Sequence, residues 1–496
     1  MSPRRNRAPG IGAARPWAAA AVLLVLAGVG CRREPPRPPE GVVFVVVDAL
    51  RADHLGCYGY TRRPTSPHLD ALAAGATRFA QAISSTPWTL PSLATMFTSL
   101  YPSVHGATLA SDIGRWLTDH PHFKPVTVLD ESRVTLAEML RAQGFATGGF
   151  VQGSYPAPEF GFGQGFERYD ANVHPGIRFN VDALLGWLEG VRPRRFFAYL
   201  HVAEVHSPYT PPPPNAWYST TSPDPRNRAV ALALDEERAR YRRWDFDPGY
   251  TGWLDGTWES LAAARRGRRL DPRDVEHLTA IYDRGIAYAD YWIGALLDGL
   301  TDRGLLDRTV VVVTSDHGEE LYDHGGVEHC RTYYEEMMHV PLIVRVPGLG
   351  RGRVVEQEVG LIDLAPTILD LLGVEGGRSL QGRSLVPLIR GKTLEERPVF
   401  GEASQVAGLE AVRTEGWTYV HAVDGEERLY DLRADPQERS DICAGEAPRC
   451  AALREQLNDH RQAMAAAAAR LALPAPERAQ VDERTRERLR QLGYAD

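Results

Sequence analysis

The chain has 496 residues, of which 43% are hydrophobic and 24% charged, a composition that is typical of globular proteins. Length alone suggests about three domains, although large α/β enzymes often run longer as one unit. The formal net charge is −8, and the chain has no basic stripe with interleaved aromatic residues, so the sequence argues against DNA or RNA as a partner.

The N-terminal residues are predicted to lie outside the fold. A basic stretch, MSPRRNRAP, precedes the apolar run WAAAAVLLVLAGVG, which is shorter than the ~20 residues that span a bilayer. Together they predict a signal peptide over 1–31, and its small residues before Cys31 are typical of bacterial lipoproteins. We expect an exported bacterial protein, periplasmic or on the outer surface, anchored through lipid on Cys31; a plain signal peptide or a short uncleaved anchor is the alternative. The Pro-rich residues 32–40 are predicted to form a stiff tether.

Apolar runs and helical patterns then alternate along the chain. The apolar runs read as strands buried on both faces, which is typical of parallel sheets; they cover 41–48, 144–151, 195–202 and 309–318. The segments with helical spacing include 66–76, 135–144 and 283–304. This alternation predicts an α/β fold with a doubly wound, mostly parallel sheet flanked by helices.

The remaining segments differ in composition and in their hydrophobic pattern. Residues 211–270 are rich in Pro, Trp and charge, and we expect an insertion or lid near the site. Short strands and turns predict a smaller α+β subdomain over 397–455, followed by a mostly helical tail over 456–496. Within that subdomain, Cys443 and Cys450 bracket a short loop and could pair in an oxidising compartment.

Polar side chains follow several of the predicted strands, at the edge where open α/β sheets bind ligands. The first strand ends in Asp48, and the last ends in Asp316 and His317. The strand over 195–202 ends near His201, with His206 a few residues further on. Carboxylates with a neutral imidazole suit a divalent cation such as Zn²⁺, Mn²⁺ or Mg²⁺. For Asp48 alone, a helix cap or turn is the alternative.

Thr89 precedes a segment with helical spacing, LPSLATMFTSL, in which Pro91 occupies the first turn. Main-chain N–H groups at a helix start favour an anion, and a hydroxyl on a metal can become nucleophilic. Simple capping of the helix by Thr89 is the alternative. Further along, DHGGVEHC places Asp323, His324 and His329 just past the metal pair, where they could contact an oxyanion or leaving group, or form a surface loop.

Ordered motifs from about 41 to 440 resemble the sulfatase family of the alkaline phosphatase superfamily. These motifs are VVVDALRADHLGCYGY, TLPSLATMFTSLYPSVHG, LHVAEVHSPYTPP, VVVTSDHGEELYDHGG, YYEEMMHVPLIVRVPG, VGLIDLAPTILDLLG and LYDLRADPQERSD. The resemblance implies the doubly wound fold, a catalytic domain over 41–396, and a smaller C-terminal sheet.

The resemblance also implies roles for six residues. Asp48, Asp316 and His317 match metal ligands, and Thr89 matches the nucleophile and a fourth ligand. His206 matches a histidine that holds the transferred group or leaving oxygen. His329 falls where relatives place a second Lys or His for that end of the substrate.

Three motifs depart from the family pattern. Sulfatases mature a Cys or Ser to formylglycine within Cys/Ser-x-Pro-x-Arg, but here Thr89 takes the first position and Leu93 the last. The usual second aspartate after Asp48 is Ala49, and the usual lysine motif is absent, with Gln152 the nearest polar residue. We therefore expect no formylglycine, and one divalent metal: Zn²⁺, Mn²⁺, Ca²⁺ or Mg²⁺.

An unmodified threonine favours phosphorus over sulfur. A formylglycine hydrate releases sulfate by collapsing to its aldehyde, whereas a threonine ester must be hydrolysed, as phosphoryl chemistry does routinely. The expected substrate is a small-molecule or envelope-component ester of phosphate or phosphonate. The alternatives are a sulfuric ester hydrolase without formylglycine, an envelope phosphotransferase, and a non-catalytic anion-binding protein.

Overall fold

The computed structural model describes residues 38–496 apart from short gaps. The gaps are 110–125, 154, 172–175, 193, 208, 210–219, 241–268, 350–351, 378, 404–407, 423, 473, 475–476, 481–484, 487–488 and 490–496. The predicted signal peptide, Cys31, most of the tether and most of the 211–270 insertion lie outside the described residues.

The strands, in chain order, are β1 (Gly41–Val47), β2 (Thr77–Ile83), β3 (Ala146–Val151), β4 (Arg168–Ala171), β5 (Phe196–Val202), β6 (Thr309–Thr314), β7 (Glu320–Leu321), β8 (Val327–Glu328), β9 (His339–Arg345), β10 (Arg353–Val355), β11 (Val359–Gly360), β12 (Val399–Gly401), β13 (Glu410–Thr414), β14 (Trp417–His421) and β15 (Glu427–Asp431). The helices are α1 (Pro67–Ala74), α2 (Thr89–Thr98), α3 (Pro102–His105), α4 (Leu136–Ala142), α5 (Gly176–Val191), α6 (Pro225–Arg240), α7 (Pro272–Asp302), α8 (Glu335–Met338), α9 (Leu364–Leu371), α10 (Val386–Ile389) and α11 (Ala447–Leu471).

A large mixed sheet forms the centre of the fold, in the strand order β10-β2-β9-β6-β1-β5-β3-β4, with β11 also paired to β2. Within this order, all neighbouring strands of the segment β6-β1-β5-β3-β4 are parallel to one another. The four predicted strands are all present in this parallel part. The prediction of a doubly wound, mostly parallel sheet is therefore confirmed.

Both faces of the sheet are covered by apolar side chains, which explains the near-continuous valine runs. On β1, Val42, Phe44 and Val46 pack into one core, which also takes side chains from α2, α4, α9 and α10. The alternate residues Val43, Val45 and Val47 pack into a second core with α1, α5 and α7. The period of two along a strand sends successive side chains to opposite faces, so both must be apolar.

The sequence analysis did not predict two central strands, β2 and β9. β9 lies between β2 and β6 and is antiparallel to both. The connection from β6 to β9 carries only a two-stranded ribbon, β7 and β8, and the single turn of α8. Without a long crossover helix the chain re-enters the sheet from the edge it left, so β9 runs in the opposite direction.

The C-terminal part is a separate antiparallel sheet, in the order β12-β13-β14-β15, with α11 packed on it through Cys450, Leu453 and Leu457. The predicted smaller C-terminal α+β subdomain is thus confirmed as a second sheet with a helix packed on it. Cys443 and Cys450 form a disulfide that ties the start of α11 to the preceding loop. Among the described residues, no helix combines the length and apolar character needed to cross a membrane.

Candidate active site

Asp48 follows β1 directly and lies at the carboxyl edge of the sheet, between β5 and β6. Its main-chain N–H donates to the carbonyl of Val202 at the end of β5, at 2.8 Å. The next residue, Ala49, has a φ of 59° and donates its N–H to Asp316 Oδ1 at 3.3 Å. This turn stops the strand and leaves the Asp48 side chain at the strand exit, only 4% exposed.

Asp316 and His317 follow β6 on the neighbouring strand. The Asp316 carbonyl accepts hydroxyl hydrogens from Ser84 at 2.6 Å and from Ser92 at 2.7 Å, so it is tied to α2. The chain then bends at Gly318, where an added Cβ would lie 1.9 Å from the carbonyl oxygen of Glu336. Only glycine fits this close approach, which fixes the direction of the loop that carries the pair.

Thr89 is the first residue of α2, and Trp88, with an extended backbone and no side-chain capping bond, occupies the N-cap position. The reading of Thr89 as a simple cap is therefore wrong. Its Oγ1 lies 3.2 Å from His317 Nε2 and 3.5 Å from Asp48 Oδ1. His317 Nδ1 donates to the carbonyl of Gly318 at 2.8 Å, which leaves Nε2 as the lone-pair atom of the ring.

These donors form a buried, acidic cluster that fits a divalent cation. His317 Nε2 lies 3.4 Å from Asp48 Oδ1 and 3.6 Å from Asp316 Oδ2. Asp316 Oδ2 has no hydrogen-bond partner among the described residues, although the side chain is fully buried. Burial and the carboxylates of Asp316 and Glu319 raise the pKa of Asp48 well above its usual range. A bound cation would reverse that effect, because it stabilises both carboxylates as anions.

One further histidine reaches this cluster and was not among the predicted ligands. His201, on β5, forms a potential metal-binding group with Asp48 and Asp316, in which all ligand atoms lie within 4.8 Å of one another. The sequence offered a signal, because His201 lies near the end of a buried strand.

His206 and His329 lie together beside His317. Their ring centroids are 4.7 Å apart, and the centroid of His329 is 4.5 Å from that of His317. Burial and the neighbouring His329 lower the pKa of His206 to about 4, so its ring is neutral near pH 7. The structure thus brings all six predicted residues to one edge of the sheet.

Glu319 is a second functional candidate that the sequence reasoning missed. Its Oε2 accepts the Nδ1 hydrogen of His329 at 2.9 Å, and its Oε1 accepts the hydroxyl hydrogen of Tyr209. Burial raises the pKa of Glu319 to about 7. Tyr209 belongs to the same HSPY segment as His206, so this carboxylate links the two histidine loops.

Asp323 and His324 have other partners. Asp323 pairs with Arg51 at 2.7 Å, and His324 pairs with Glu336 at 2.7 Å. The ring of His324 also stacks on Tyr334, with 3.6 Å between centroids. Of the three residues in DHGGVEHC, only His329 joins the cluster around His317.

The three departures from the family motifs have structural counterparts. Leu93 is buried in the apolar core beneath α2, and Ala49 forms the tight turn after Asp48. The side-chain amide of Gln152 donates a hydrogen bond to Glu204 at 3.0 Å and accepts one from the N–H of Ala203 at 3.3 Å. Gln152 therefore supports the end of β5.

A cavity of about 330 Å³ lies against His329. Its lining includes the polar side chains of Glu328, Arg331, Thr332 and Tyr334. A substrate group could extend into this space from the histidine pair.

Two protein-family models match the sequence of this chain. The sulfatase family model matches residues 41–374, and a model of the N-sulphoglucosamine sulphohydrolase C-terminal region matches 323–466. Arylsulfatase K of chicken is 33% identical over 184 residues, which are about a third of each protein (34%). Human arylsulfatase K is 24% identical over 477 residues, 86% of this chain and 83% of the human protein.

The fold also matches solved structures. The crystal structure of phosphonate monoester hydrolase from Agrobacterium radiobacter superposes with a TM-score of 0.65 at 22% identity, covering 86% of this chain and 96% of the other. At that identity the likeness speaks for the fold alone. The match of the family model over most of the chain settles the family: this chain belongs to the sulfatases, a family of ester hydrolases.

Proposed function

We propose that this chain is a metal-dependent ester hydrolase in which the unmodified hydroxyl of Thr89 is the nucleophile. The observation that carries the proposal is the position of Thr89 Oγ1, 3.2 Å from His317 Nε2 and 3.5 Å from Asp48 Oδ1, at the start of α2. Asp48, Asp316 and His317 would hold the cation together with Thr89. When bound, a divalent cation lowers the pKa of a hydroxyl and neutralises a non-bridging substrate oxygen.

The residues of the chain supply the remaining steps. The Thr89 hydroxyl faces Asp48 Oδ1 at 3.5 Å and His317 Nε2 at 3.2 Å, so beside the cation that these residues would hold, it would release its proton to water before attack. Attack by Thr89 Oγ1 forms one bond to phosphorus while the bond to the leaving oxygen breaks, which gives a phosphothreonine. Water then attacks the same phosphorus and releases Thr89 with its hydroxyl restored.

His206 and His329 serve the leaving oxygen and the transferred group. The His206 Nδ1 hydrogen is donated to the carbonyl of Ser207, and that of His329 is donated to Glu319. Each neutral ring therefore presents a lone pair on Nε2. Once that nitrogen has taken up a proton, the imidazolium can hydrogen-bond an oxyanion and pass the proton to the leaving oxygen.

We favour phosphate or phosphonate esters as substrates. A threonine ester must be cleaved by water, and Leu93 fills the position of the arginine in the formylglycine motif. The relatives named arylsulfatase K favour the second candidate, hydrolysis of a sulfuric ester by the same threonine.

The test is an ester panel with matched Thr89 variants. Wild-type protein, Thr89→Ser and Thr89→Ala are assayed on aryl sulfates, phosphate monoesters, phosphodiesters and phosphonate monoesters. We expect phosphorus esters to turn over fastest, Thr89→Ser to retain activity, and Thr89→Ala to lose it without a change in melting temperature. Full activity of Thr89→Ala on the best substrate would refute the nucleophile. A sulfate preference would refute the substrate class, and metal binding without any turnover would favour an anion-binding protein.

We also propose that the enzyme is exported and held at the membrane through lipid on Cys31. The disulfide between Cys443 and Cys450 supports an oxidising compartment. In a bacterial host, Cys31→Ser should move the protein from the membrane fraction to the soluble periplasmic fraction. An unchanged distribution would exclude lipid on Cys31 as the anchor.

A further inference from the structure

His201 is held in the tautomer that a metal ligand requires. Its Nδ1 lies 2.9 Å from the main-chain carbonyl oxygen of Gln152. A carbonyl can only accept, so Nδ1 carries the hydrogen and Nε2 carries the lone pair. Metal-binding histidines are generally oriented by such a bond from the other ring nitrogen.

The lone-pair atom of His201 has no hydrogen-bond partner among the described residues, although the side chain is fully buried. An unpaired buried acceptor is unfavourable, so its retention calls for an explanation. His201 Nε2 lies 3.9 Å from Asp48 Oδ2, whereas Asp48 Oδ1 faces Thr89 and His317. Asp316 Oδ2, the other unpartnered acceptor of the site, belongs to the same group.

The parallel register places His201 at this position. On β5 it pairs with Val46 of β1, two residues before Asp48. Since β5 and β6 flank β1, the three strands deliver His201, Asp48 and the Asp316–His317 pair side by side.

We infer that His201 is a further protein ligand of the catalytic cation, opposite His317 across Asp48, and that the site therefore selects Zn²⁺ over Ca²⁺. The inference rests on the proposed function, because it takes a cation at Asp48 as given. With His201 the donor set has two imidazoles, two carboxylates and a hydroxyl. Imidazole suits Zn²⁺, whereas Ca²⁺ prefers an all-oxygen environment with more ligands.

Two substitutions separate ligation from structural support. In His201→Asn, the shorter amide can still donate to the Gln152 carbonyl but offers no atom near Nε2. In His201→Gln, the longer amide can place an oxygen near the position of Nε2. His105→Asn is the control, because His105 is also fully buried but its Nε2 bonds to Thr95 at 3.1 Å.

The measurement is the dissociation constant of the metal-free full chain for Zn²⁺ and for Ca²⁺, by competition with a chromophoric chelator, together with the visible spectrum of the Co²⁺ form. We expect wild type to bind Zn²⁺ more tightly than Ca²⁺. His201→Asn should lose Zn²⁺ affinity by at least about tenfold, since even residues that merely orient a ligand cost 10–100-fold. His201→Gln should narrow the difference between the two metals, and His105→Asn should bind as wild type does.

The outcomes separate this inference from the proposed function. If wild type hydrolyses esters and binds Zn²⁺, but His201→Asn keeps the same affinity and Co²⁺ spectrum, the ligand role of His201 is refuted alone. If wild type binds neither metal, the proposed function fails as well. Should His201→Asn be unfolded in the metal-free state, the Zn²⁺-to-Ca²⁺ ratio of His201→Gln decides: a ratio equal to that of wild type overturns the inference.

Discussion

Replacement of Glu319 by glutamine probes how the site orients His329. Glutamine keeps the shape of the side chain and one oxygen acceptor. Above the Glu319 pKa of about 7, it removes the charge from the bond to His329 Nδ1, which is 2.9 Å long. A hydrogen bond to a charged group contributes about 1.5–3 kcal/mol and a neutral one about 0.5–1.5 kcal/mol. The difference of about 1–2 kcal/mol corresponds to a roughly 5–30-fold decrease in kcat.

The leaving group distinguishes positioning from general damage. If His329 protonates the leaving oxygen, Glu319→Gln should slow esters of poor, alkyl leaving groups and have little effect on p-nitrophenyl esters, whose leaving group needs no proton. Tyr209→Phe, which removes one hydrogen bond from Glu319, should show the same pattern with a smaller decrease in kcat. The Zn²⁺ affinity of Tyr209→Phe, which keeps the Glu319 carboxylate, should match that of wild type. An equal decrease for all leaving groups would refute the role assigned to Glu319.

Three further results are expected. Gly318→Ala should lower the free energy of unfolding in urea by about 3 kcal/mol, because its Cβ would overlap the Glu336 carbonyl. The control Gly186→Ala in α5, where no neighbour lies within 4 Å, should be neutral or stabilising. Equal effects of the two substitutions would contradict the packing argument. Burial raises the pKa of Glu335, but Arg413 lowers it more, to about 2, so this carboxylate stabilises the fold above pH ~4.5 and the contribution disappears as the pH falls toward 2. Glu335→Gln should remove that part of the pH dependence of unfolding, and an unchanged profile would contradict it. Chelation should abolish turnover and lower the melting temperature, and Zn²⁺ should restore both; a chelator-resistant activity would exclude the metal.

The sequence predicted the parallel half of the fold well and the rest less well. The positions of Asp48, Asp316 and His317 at one edge of the sheet could be predicted because runs of valine indicate buried strands, and the carboxyl ends of parallel strands lie at the same edge. β2 and β9 were missed: TRFAQAI is interrupted by polar residues, and the run of β9 contains Pro341, which weakens a strand signal.

The missed site residues had weaker signals. His201 had a local signal, the strand end, but nothing in the sequence states which way a terminal side chain points. Glu319 and Tyr209 are 110 positions apart, and only the folded sheet brings their loops together. The exact start of α2 after Trp88 also could not be predicted, because the N-cap residue Trp88 makes no side-chain capping hydrogen bond.

The most direct test of the account is the chemical state of Thr89 during turnover. The Zn²⁺-loaded enzyme is mixed with its best phosphorus ester, quenched in acid within one turnover, digested, and analysed by high-resolution mass spectrometry that separates phosphoryl from sulfuryl adducts. The account predicts a phosphoryl group on Thr89, absent from the unreacted enzyme. An active enzyme whose Thr89 peptide stays unmodified, or carries the adduct on another residue, would contradict it.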